Sequence, residues 1–216
     1  MESEVIWLRP EKAGVGRPAQ RSRAEITTAA VELADRGGLH AVSMRRVGAE
    51  LGTAAGSLYR YVATRDDLLD LMVDHVYAEY DLGSPTGRWL DDLVDVGLQA
   101  REIHRRHLWL AELVTTRPTL SPRGVDVLEH VLSVLADHPA DDTRKLEAFA
   151  MLSAVVASFA RNEQSSTDSQ RHARYLAHVV AAGTHPHIAA LDITQPVAAD
   201  DPFPGVLRRV LAGLLQ

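Results

Sequence analysis

Seven consecutive residues, AGSLYRY from 55 to 61, carry side chains suited to contacting a nucleic acid. A helix from about Thr53 to Tyr61 turns Ala54 and Leu58 inward and leaves the other residues on or near its outer face. That face has two small residues, a hydroxyl, two phenols and a guanidinium. Such a face packs poorly in a core, but its polar groups can bind phosphates and base edges. The run therefore predicts a surface that enters a DNA groove.

A second short helix is predicted immediately before this one. Met44, Val47 and Leu51 are spaced i, i+3 and i+7, so one face of this helix is apolar. Ser43 is the predicted N-cap. Gly52 stands where a chain leaving a helix needs a left-handed residue. Two short helices joined by a tight turn form a helix-turn-helix, whose second helix lies in the major groove.

The longer run LGTAAGSLYRYVATRDDLL, from 51 to 69, resembles the signature of the tetracycline-repressor (TetR) family of bacterial transcription regulators. The preceding RAEITTAAVELADRGGLHAVSMRRVGAELG resembles the first helix and lead-in of the same domain. The resemblance is close from about 21 to 80 and weaker to about 164. It implies an all-α fold with a three-helix head, a connecting fourth helix and a larger helical body. It also implies a homodimeric repressor that a small-molecule ligand releases from a palindromic operator.

The resemblance assigns DNA contacts position by position. In the family pattern they fall on Ser43, Arg45, Ala55, Gly56, Ser57, Tyr59, Arg60, Tyr61 and Arg65. Arg45 and Arg60 suit guanine, because the guanidinium fork matches its O6 and N7 atoms. Ser57, Tyr59 and Arg65 suit phosphate oxygens, and the two small residues leave room for a thymine methyl or for close backbone approach. The alternative is that the arginines are only solvated surface charges.

The charge distribution agrees with a basic head on an acidic body. The whole chain has a net charge of −6, but residues 9–65 contain ten Lys or Arg against five Asp or Glu, so the remainder carries −11. Residues 1–20 lack a helical period and predict a flexible basic arm, in which Arg17 is a candidate for the minor groove. The alternative is a disordered terminus whose charges only raise solubility.

Composition excludes several other classes of site. Cysteine is absent, so the chain has no disulfide, thiolate metal site or cysteine nucleophile. His104 and His107 lack a third ligand at a metal spacing, and no Walker loop or nucleophile elbow is present. We therefore expect no metal and no cofactor, and an all-helical enzyme is the lesser alternative. The longest nearly apolar run, 148–160, is too short to span a bilayer, which favours a cytoplasmic protein without a membrane partner.

Helical patterns continue beyond the head, with no strand-like alternation. We divide the chain into an arm (1–20), a helix-turn-helix domain (21–66) and a ligand-binding and dimerisation domain (67–216). Helices are predicted at about 22–36, 64–80, 88–104, 107–116, 121–135, 141–162 and 203–214. The polar run 162–172 predicts a loop, and 183–205 a largely irregular segment around its prolines.

Two of these helices indicate a dimer. The helix at 141–162 is apolar nearly all round and must be buried on more than one side, and the last helix has a broad apolar face. In the family the corresponding helices of two subunits form a four-helix bundle. The residues expected at the interface are Leu152, Val155, Val156, Phe159, Leu207, Val210, Leu211 and Leu214. The alternative is that both helices only complete the core of one subunit.

The body departs from the tetracycline repressors at the positions that hold their ligand. Leu113 replaces the histidine that helps hold the drug's magnesium, and Val96 replaces a drug-contacting asparagine. Aliphatic side chains cannot ligate a hard cation, so we expect an apolar or mixed-polarity small molecule instead. The candidate pocket residues, each of which could also be core packing, are Trp89, Val96, Ala100, Trp109, Leu113, Thr116, Phe149 and Ser153. A constitutive regulator, or an activator, whose body only dimerises is the alternative function.

Overall fold

The computed structural model describes residues 5–9, 21–117, 120–164, 166–190 and 201–216, and within these ranges it contains helices but no β-strand. The predicted all-α class is confirmed. A short 3-10 helix, η1 (Ile6–Leu8), comes first, and η2 (Leu39–Ala41) follows α1. The α-helices are α1 (Arg23–Gly37), α2 (Met44–Glu50), α3 (Ala55–Leu58), α4 (Arg65–Tyr77), α5 (Trp89–Arg106), α6 (Leu110–Thr116), α7 (Pro122–Val134), α8 (Asp142–Gln164), α9 (Ser166–Ala181), α10 (Pro186–Ala189) and α11 (Phe203–Leu214).

Side-chain caps fix where the helices of the head begin. The hydroxyl of Ser43 accepts a hydrogen bond from the backbone N–H of Arg46, which confirms its prediction as an N-cap. Thr64 and Asp67 form a capping box at the start of α4, each side chain accepting from the other's backbone N–H. These short-range bonds satisfy backbone donors that a helix leaves unpaired, so sequence alone locates the boundaries.

Two glycines allow the turn between α2 and α3. Gly52 adopts φ +63°, which confirms the left-handed residue predicted there. Gly48 is buried where α2 meets the turn, and a Cβ atom on it would lie 2.8 Å from the carbonyl oxygen of Thr53. Because the turn extends to residue 54, α3 is shorter than the helix predicted over 53–61.

The first hydrophobic core is shared by the head and the body. Leu68, Met72 and Val76 of α4 are fully buried in it. Its other buried members come from the head and from the body: Ile26, Ala29, Ala30, Val31, Ala34, Val42, Met44, Val47, Leu58, Val62, Leu69, Val73, Ile103, Trp109, Leu110 and Leu113. The head therefore packs on the body through α4.

The second core lies within the body, among α5, α7, α8 and α11. Leu207 of α11 sits against Gly97 of α5, in space that a Cβ atom at position 97 would occupy. Arg101 of α5 lies 4.6 Å from the ring centroid of Phe203 and forms ion pairs with Glu163 and Asp201. The last helix is thereby fixed to its own subunit.

The loop predicted for residues 162–172 is wrong. Helix α8 continues to Gln164, and α9 begins at Ser166. The carboxylate of Glu163 accepts hydrogen bonds from Arg101 and Arg105, with its Oε2 lying 2.8 Å from the Nε of Arg105. These tertiary ion pairs stabilise the end of α8. The described side chains of α9 are mostly exposed, so this helix needs no apolar stripe of the kind the sequence analysis looked for.

We predict that Gly48→Ala destabilises the head by about 1–3 kcal/mol, because the new methyl group meets a backbone oxygen that cannot rotate away. The matched control is Gly56→Ala in α3, where an added Cβ meets no atom within 4 Å. Thermal unfolding followed by circular dichroism measures both variants. Equal midpoints for the two would contradict the close approach at Gly48.

Candidate functional site

The predicted DNA-contacting residues form an exposed face of α2 and α3. Arg45, Tyr59 and Arg60 are exposed, Tyr59 at 51%. The hydroxyl of Ser57 donates to the carbonyl of Ala54 and lies 2.8 Å from the hydroxyl of Thr53. Leu58 points the opposite way and is fully buried. The inward position predicted for Leu58 is confirmed, whereas Ala54, also predicted to face inward, is exposed at the N-cap of α3. Ala55 and Tyr61, predicted on the outer face, are half-buried against the first core.

Arg65 has a contact that sequence reasoning missed. Its guanidinium donates to the carbonyl of Leu39 at 3.3 Å and to that of Val42 at 3.5 Å. These bonds tie the start of α4 to the backbone just before α2. Ser43 likewise holds its own helix start, and the guanidinium of Arg60 lies 5.9 Å from the ring centroid of Tyr61. Part of the candidate DNA face therefore also stabilises the head.

The segment expected to be a flexible arm is only partly described. Residues 5–9 form η1 and the turn after it, with Ile6 buried at 1% exposure and Arg9 paired with Asp67 of α4. The carbonyl of Arg9 accepts a bond from Arg23 at 2.9 Å. These residues are anchored to the head. Arg17, the candidate for the minor groove, lies outside the described residues.

The body contains a cavity of about 380 Å³ bounded by the end of α4 and by α5, α6, α7 and α8. Three of the predicted pocket residues, Ala100, Phe149 and Ser153, line it. Sequence reasoning missed its polar lining residues, which are Tyr77, Tyr80, His104 and Thr115. One signal was available for the histidine, because it continues the stripe of positions 96 and 100 at i+4 spacing.

The other five predicted pocket residues do not line this cavity. Val96 is buried in the second core, while Trp109 and Leu113 are buried in the first. Trp89 packs against the second core, with its ring 4.8 Å from that of His138. Thr116 is exposed, and its hydroxyl donates to the carbonyl of Glu112 within α6. Helical spacing places these residues on inward faces, but it does not distinguish a core from a cavity.

Four of the predicted interface residues are also buried within the subunit. Leu152 and Val156 of α8 line the cavity, and Leu207 and Leu211 of α11 are fully buried in the second core. The close approach of α11 to Gly97 explains the burial of Leu207. The half-buried members are Val155, Phe159, Val210 and Leu214. Of the eight predicted interface residues, only these four keep partly exposed side chains that a second subunit could cover.

His104 is the most unusual polar residue of the cavity. It is 5% exposed, and its Nδ1 is buried with no hydrogen-bond partner in the part of the chain that the structure describes. Burial, with a smaller contribution from the charge of His107, lowers the pKa of His104 to about 4. Burial raises the pKa of the phenols of Tyr77 and Tyr80, whose rings meet edge to face at 5.6 Å. At neutral pH these three polar groups are uncharged.

A hydrogen-bonded cluster one turn beyond His104 joins the body to the head. His107 Nδ1 lies 2.8 Å from a carboxylate oxygen of Asp35 in α1, and its Nε2 lies 2.8 Å from Glu79. The indole N–H of Trp109 donates to the same oxygen of Asp35 at 2.7 Å. This cluster links α1, the end of α4 and the segment between α5 and α6.

Arginines of the body also form ion pairs with α4. Asp66, Asp70 and Asp74 recur at i+4 spacing along the helix. Arg117 binds the first two at 2.8 and 3.1 Å, and Arg123 binds the third at 3.0 Å. The acidic stripe was visible in the sequence, but its partners were not.

Two further findings concern metal ions and membranes. Among the described residues, no group of three His, Asp or Glu side chains is placed to hold a metal ion. None of the helices that the structure describes is both long and apolar enough to cross a membrane.

We predict that His104→Leu removes a pH dependence of stability. The unfolded chain takes up a proton near the ordinary pKa of 6.5, whereas the folded chain does so only near 4, so protonation favours unfolding as the pH falls through this window. Between pH 7.5 and pH 5, the variant should lose about 2 kcal/mol less of its unfolding free energy than the native chain. Urea unfolding at both pH values measures this. The control is His75→Leu, at an exposed histidine of α4, and identical losses in all three proteins would refute the assignment.

Comparison with solved structures finds the same architecture. The apo form of ActR from Streptomyces coelicolor superposes with a TM-score of 0.79 at 29% identity, covering 92% of this chain and 97% of that one. ActR in complex with actinorhodin gives a TM-score of 0.78 at 28% identity, over 91% of this chain and 96% of ActR. The complex with (S)-DNPA gives 0.78 at 30% identity, over 91% and 98%.

Sequence relatives and family models agree with this likeness. The HTH-type transcriptional repressor DrrR1 of Streptomyces coeruleorubidus is 32% identical over 98% of this chain and 83% of its own length. A regulator of Saccharopolyspora erythraea is 39% identical over 61% of this chain and 56% of its own. Residues 26–72 match the model of bacterial regulatory proteins of the tetR family, and residues 83–216 match the tetracyclin repressor-like C-terminal domain. The expectation that the chain is not an enzyme is confirmed, and the chain belongs to the TetR family of DNA-binding, ligand-responsive transcription regulators.

Proposed function

We propose that this regulator is a homodimeric repressor that occupies a palindromic operator in the cytoplasm and is released when a small molecule enters the body cavity. One observation carries the proposal. Tyr77, the last residue of α4, and Tyr80, three residues after it, line the cavity, while Leu68 and Met72 of α4 pack in the core that contains the head. A ligand in the cavity therefore touches the element on which the head is mounted.

Helix α4 can transmit a displacement because both of its ends are attached. It has 13 residues, a length of about 20 Å. At its start, Arg65 binds the backbone that leads into α2. A ligand that displaces Tyr77 would tilt the helix and change the distance between the two recognition helices of a dimer. The shift is limited by the difference in ligand affinity between the DNA-bound and released states.

We assign DNA recognition to the exposed face of α2 and α3. Arg45 and Arg60 are proposed to read guanine, and Ser57, Tyr59 and Arg65 to bind phosphate. Ala55 and Gly56 let the backbone approach the bases, with the remaining proposed contacts made by Ser43, Tyr61 and Arg17. The exposure of Tyr59 and Arg60 and the basic character of residues 9–65 support this assignment.

The relatives support repression and a small-molecule ligand. DrrR1 is a transcriptional repressor, and ActR is seen in complex with actinorhodin and with (S)-DNPA. The cavity of this chain, at about 380 Å³, is in the size range of small-molecule sites. We place the ligand there, against Ala100, Phe149 and Ser153, in contact with the end of α4.

The dimer is proposed to form through α8 and α11. Leu146 and Met151 of α8 are 49% and 41% exposed, although the sequence requires this helix to be buried on more than one side. A second subunit would cover these side chains together with Val155 and Leu214. A two-fold dimer also presents two heads to two half-sites, as a palindromic operator requires.

The test of DNA binding is fluorescence anisotropy on the protein's own upstream DNA and on scrambled DNA, across salt concentrations. We expect selective binding with a steep salt slope. Arg45→Ala and Arg60→Ala should each weaken operator binding by about 1–3 kcal/mol and relax the base preference, because a bidentate contact to guanine is lost. The control is Arg174→Ala at an exposed position of α9, which should leave binding unchanged.

The same complex tests release, with actinorhodin as the probe. A fall in anisotropy on its addition would support a ligand-released repressor. Unchanged binding in the presence of actinorhodin would count against this inducer, and an unchanged base preference in both arginine variants would refute the readout assignment. Equal, weak binding of the native chain to both duplexes would contradict the operator proposal itself.

We predict that Val155→Glu and Leu214→Glu convert a dimer into a monomer. Each places a charge on the half-buried apolar face of α8 or α11, where a second subunit would have to desolvate it. Light scattering after size exclusion measures the mass. Val125→Glu, at a valine of α7 that is 45% exposed, is the matched control and should remain dimeric. A native chain that is already monomeric at micromolar concentration would rule out the interface.

A further inference from the structure

The lining of the cavity limits the charge of the molecule that it can hold. Its aromatic and polar lining residues are Tyr77, Tyr80, His104, Thr115, Phe149 and Ser153, and the other described lining residues are aliphatic. No Asp, Glu, Lys or Arg is among the described residues that line it, and His104 is uncharged at neutral pH. A charged group brought into this space would lose its hydration without gaining a counter-ion. The part of a ligand that enters the cavity is therefore uncharged.

The aromatic residues of the lining favour a flat aromatic ligand. Tyr77 ends α4, Tyr80 follows it in the next segment, and Phe149 comes from α8. Aromatic side chains bind flat rings through stacked or edge-to-face contacts, which add to the burial of apolar surface. Three such rings in one cavity of about 380 Å³ give a rigid aromatic molecule more contact than a flexible aliphatic one of equal size.

Among the described residues that line the cavity, His104 has a buried polar atom without a hydrogen-bond partner. Its Nδ1 is buried without a hydrogen-bond partner among the described residues, although a buried polar group without a partner destabilises a fold. His104 is also a lining residue of the cavity, and a half-turn of its ring would exchange each nitrogen with a carbon and so move the buried Nδ1 to the other edge of the imidazole. A neutral imidazole has one donor and one acceptor nitrogen, and a hydroxyl group can bond to either.

We propose that the ligand is an uncharged aromatic molecule bearing a hydroxyl group, and that His104 is the residue that selects for that hydroxyl. This inference rests on the proposed ligand-released function and specifies its ligand class. The lowered pKa of His104 agrees with it, because the imidazole is neutral at pH 7 and does not attract an anion. Its position also fits, since His104 lies one helical turn before His107, which binds Asp35 of the head.

The test compares three probes of one ring system: 2-naphthol, 2-methylnaphthalene and 2-naphthoate. Equilibrium dialysis of the full chain at pH 7, read by naphthalene fluorescence, gives each dissociation constant. We expect 2-naphthol to bind about tenfold more tightly than 2-methylnaphthalene, the effect of one hydrogen bond in a buried site. The carboxylate should bind more weakly than either.

The variants assign the selectivity to one side chain. In His104→Leu the ratio between 2-naphthol and 2-methylnaphthalene should fall from about ten to about one, while 2-methylnaphthalene binds as before. His104→Gln keeps a donor and an acceptor and should recover part of the ratio. The control His75→Leu should retain all of it. His104→Leu removes an unpartnered buried nitrogen, so we expect it to fold at least as stably as the native chain.

Three results would overturn the proposal: a ratio that His104→Leu leaves unchanged, no binding of 2-naphthol by the native chain, or tighter binding of 2-naphthoate than of 2-naphthol. Anisotropy on operator DNA in the same preparations separates this outcome from failure of the proposed function. Selective DNA binding with an unchanged ratio refutes only the role of His104. Loss of selective DNA binding by the native chain refutes the regulator's proposed mechanism whatever the ratio is.

Discussion

Helix α4 has a face that must be buried, and both the head and the body contribute to burying it. Leu68, Met72 and Val76 are fully buried in a core that contains residues of α1 and also of α5 and α6. Each such side chain contributes roughly 1.5–3 kcal/mol when removed from water. Because these contributions come from both parts of the chain, the head cannot move without repacking this core. A change at the far end of α4 would therefore reach the proposed DNA-contacting face.

Hydrogen bonds and ion pairs around α4 determine how the head is oriented on the body. The aspartates of α4 bind Arg117 and Arg123 on one side, and Asp35 and Glu79 bind His107 on another. These contacts have fixed partners and geometry, so they favour one arrangement of head and body over others of similar apolar burial. A ligand in the cavity would either preserve this arrangement of head and body or disrupt these contacts.

In the cavity, by contrast, a buried polar atom has no hydrogen-bond partner among the described residues. His104 is buried with a nitrogen that has no partner among the described residues, and burial keeps it uncharged near neutral pH. A leucine there would satisfy packing and remove the desolvation cost. We expect His104→Leu to stabilise the chain and to remove ligand discrimination. Such a pair of effects is typical of a binding site, where a polar group without a partner provides specificity at a cost in stability.

The sequence by itself determined the features that depend on neighbouring residues. The caps at Ser43 and Thr64, the left-handed Gly52 and the inward Leu58 follow from short-range sterics and hydrogen bonding, and the family signature extends over the same residues. Only the tertiary structure decided which inward residues form a core and which line a cavity, because helical spacing is identical for Val96 and Ala100. It also decided that Leu207 is covered within the subunit, since its partner Gly97 lies about a hundred residues away in the chain. Helix α9 escaped prediction because its first half belongs to the polar run 162–172, which has no apolar pattern, and the ion pairs that hold Glu163 beside it come from distant α5.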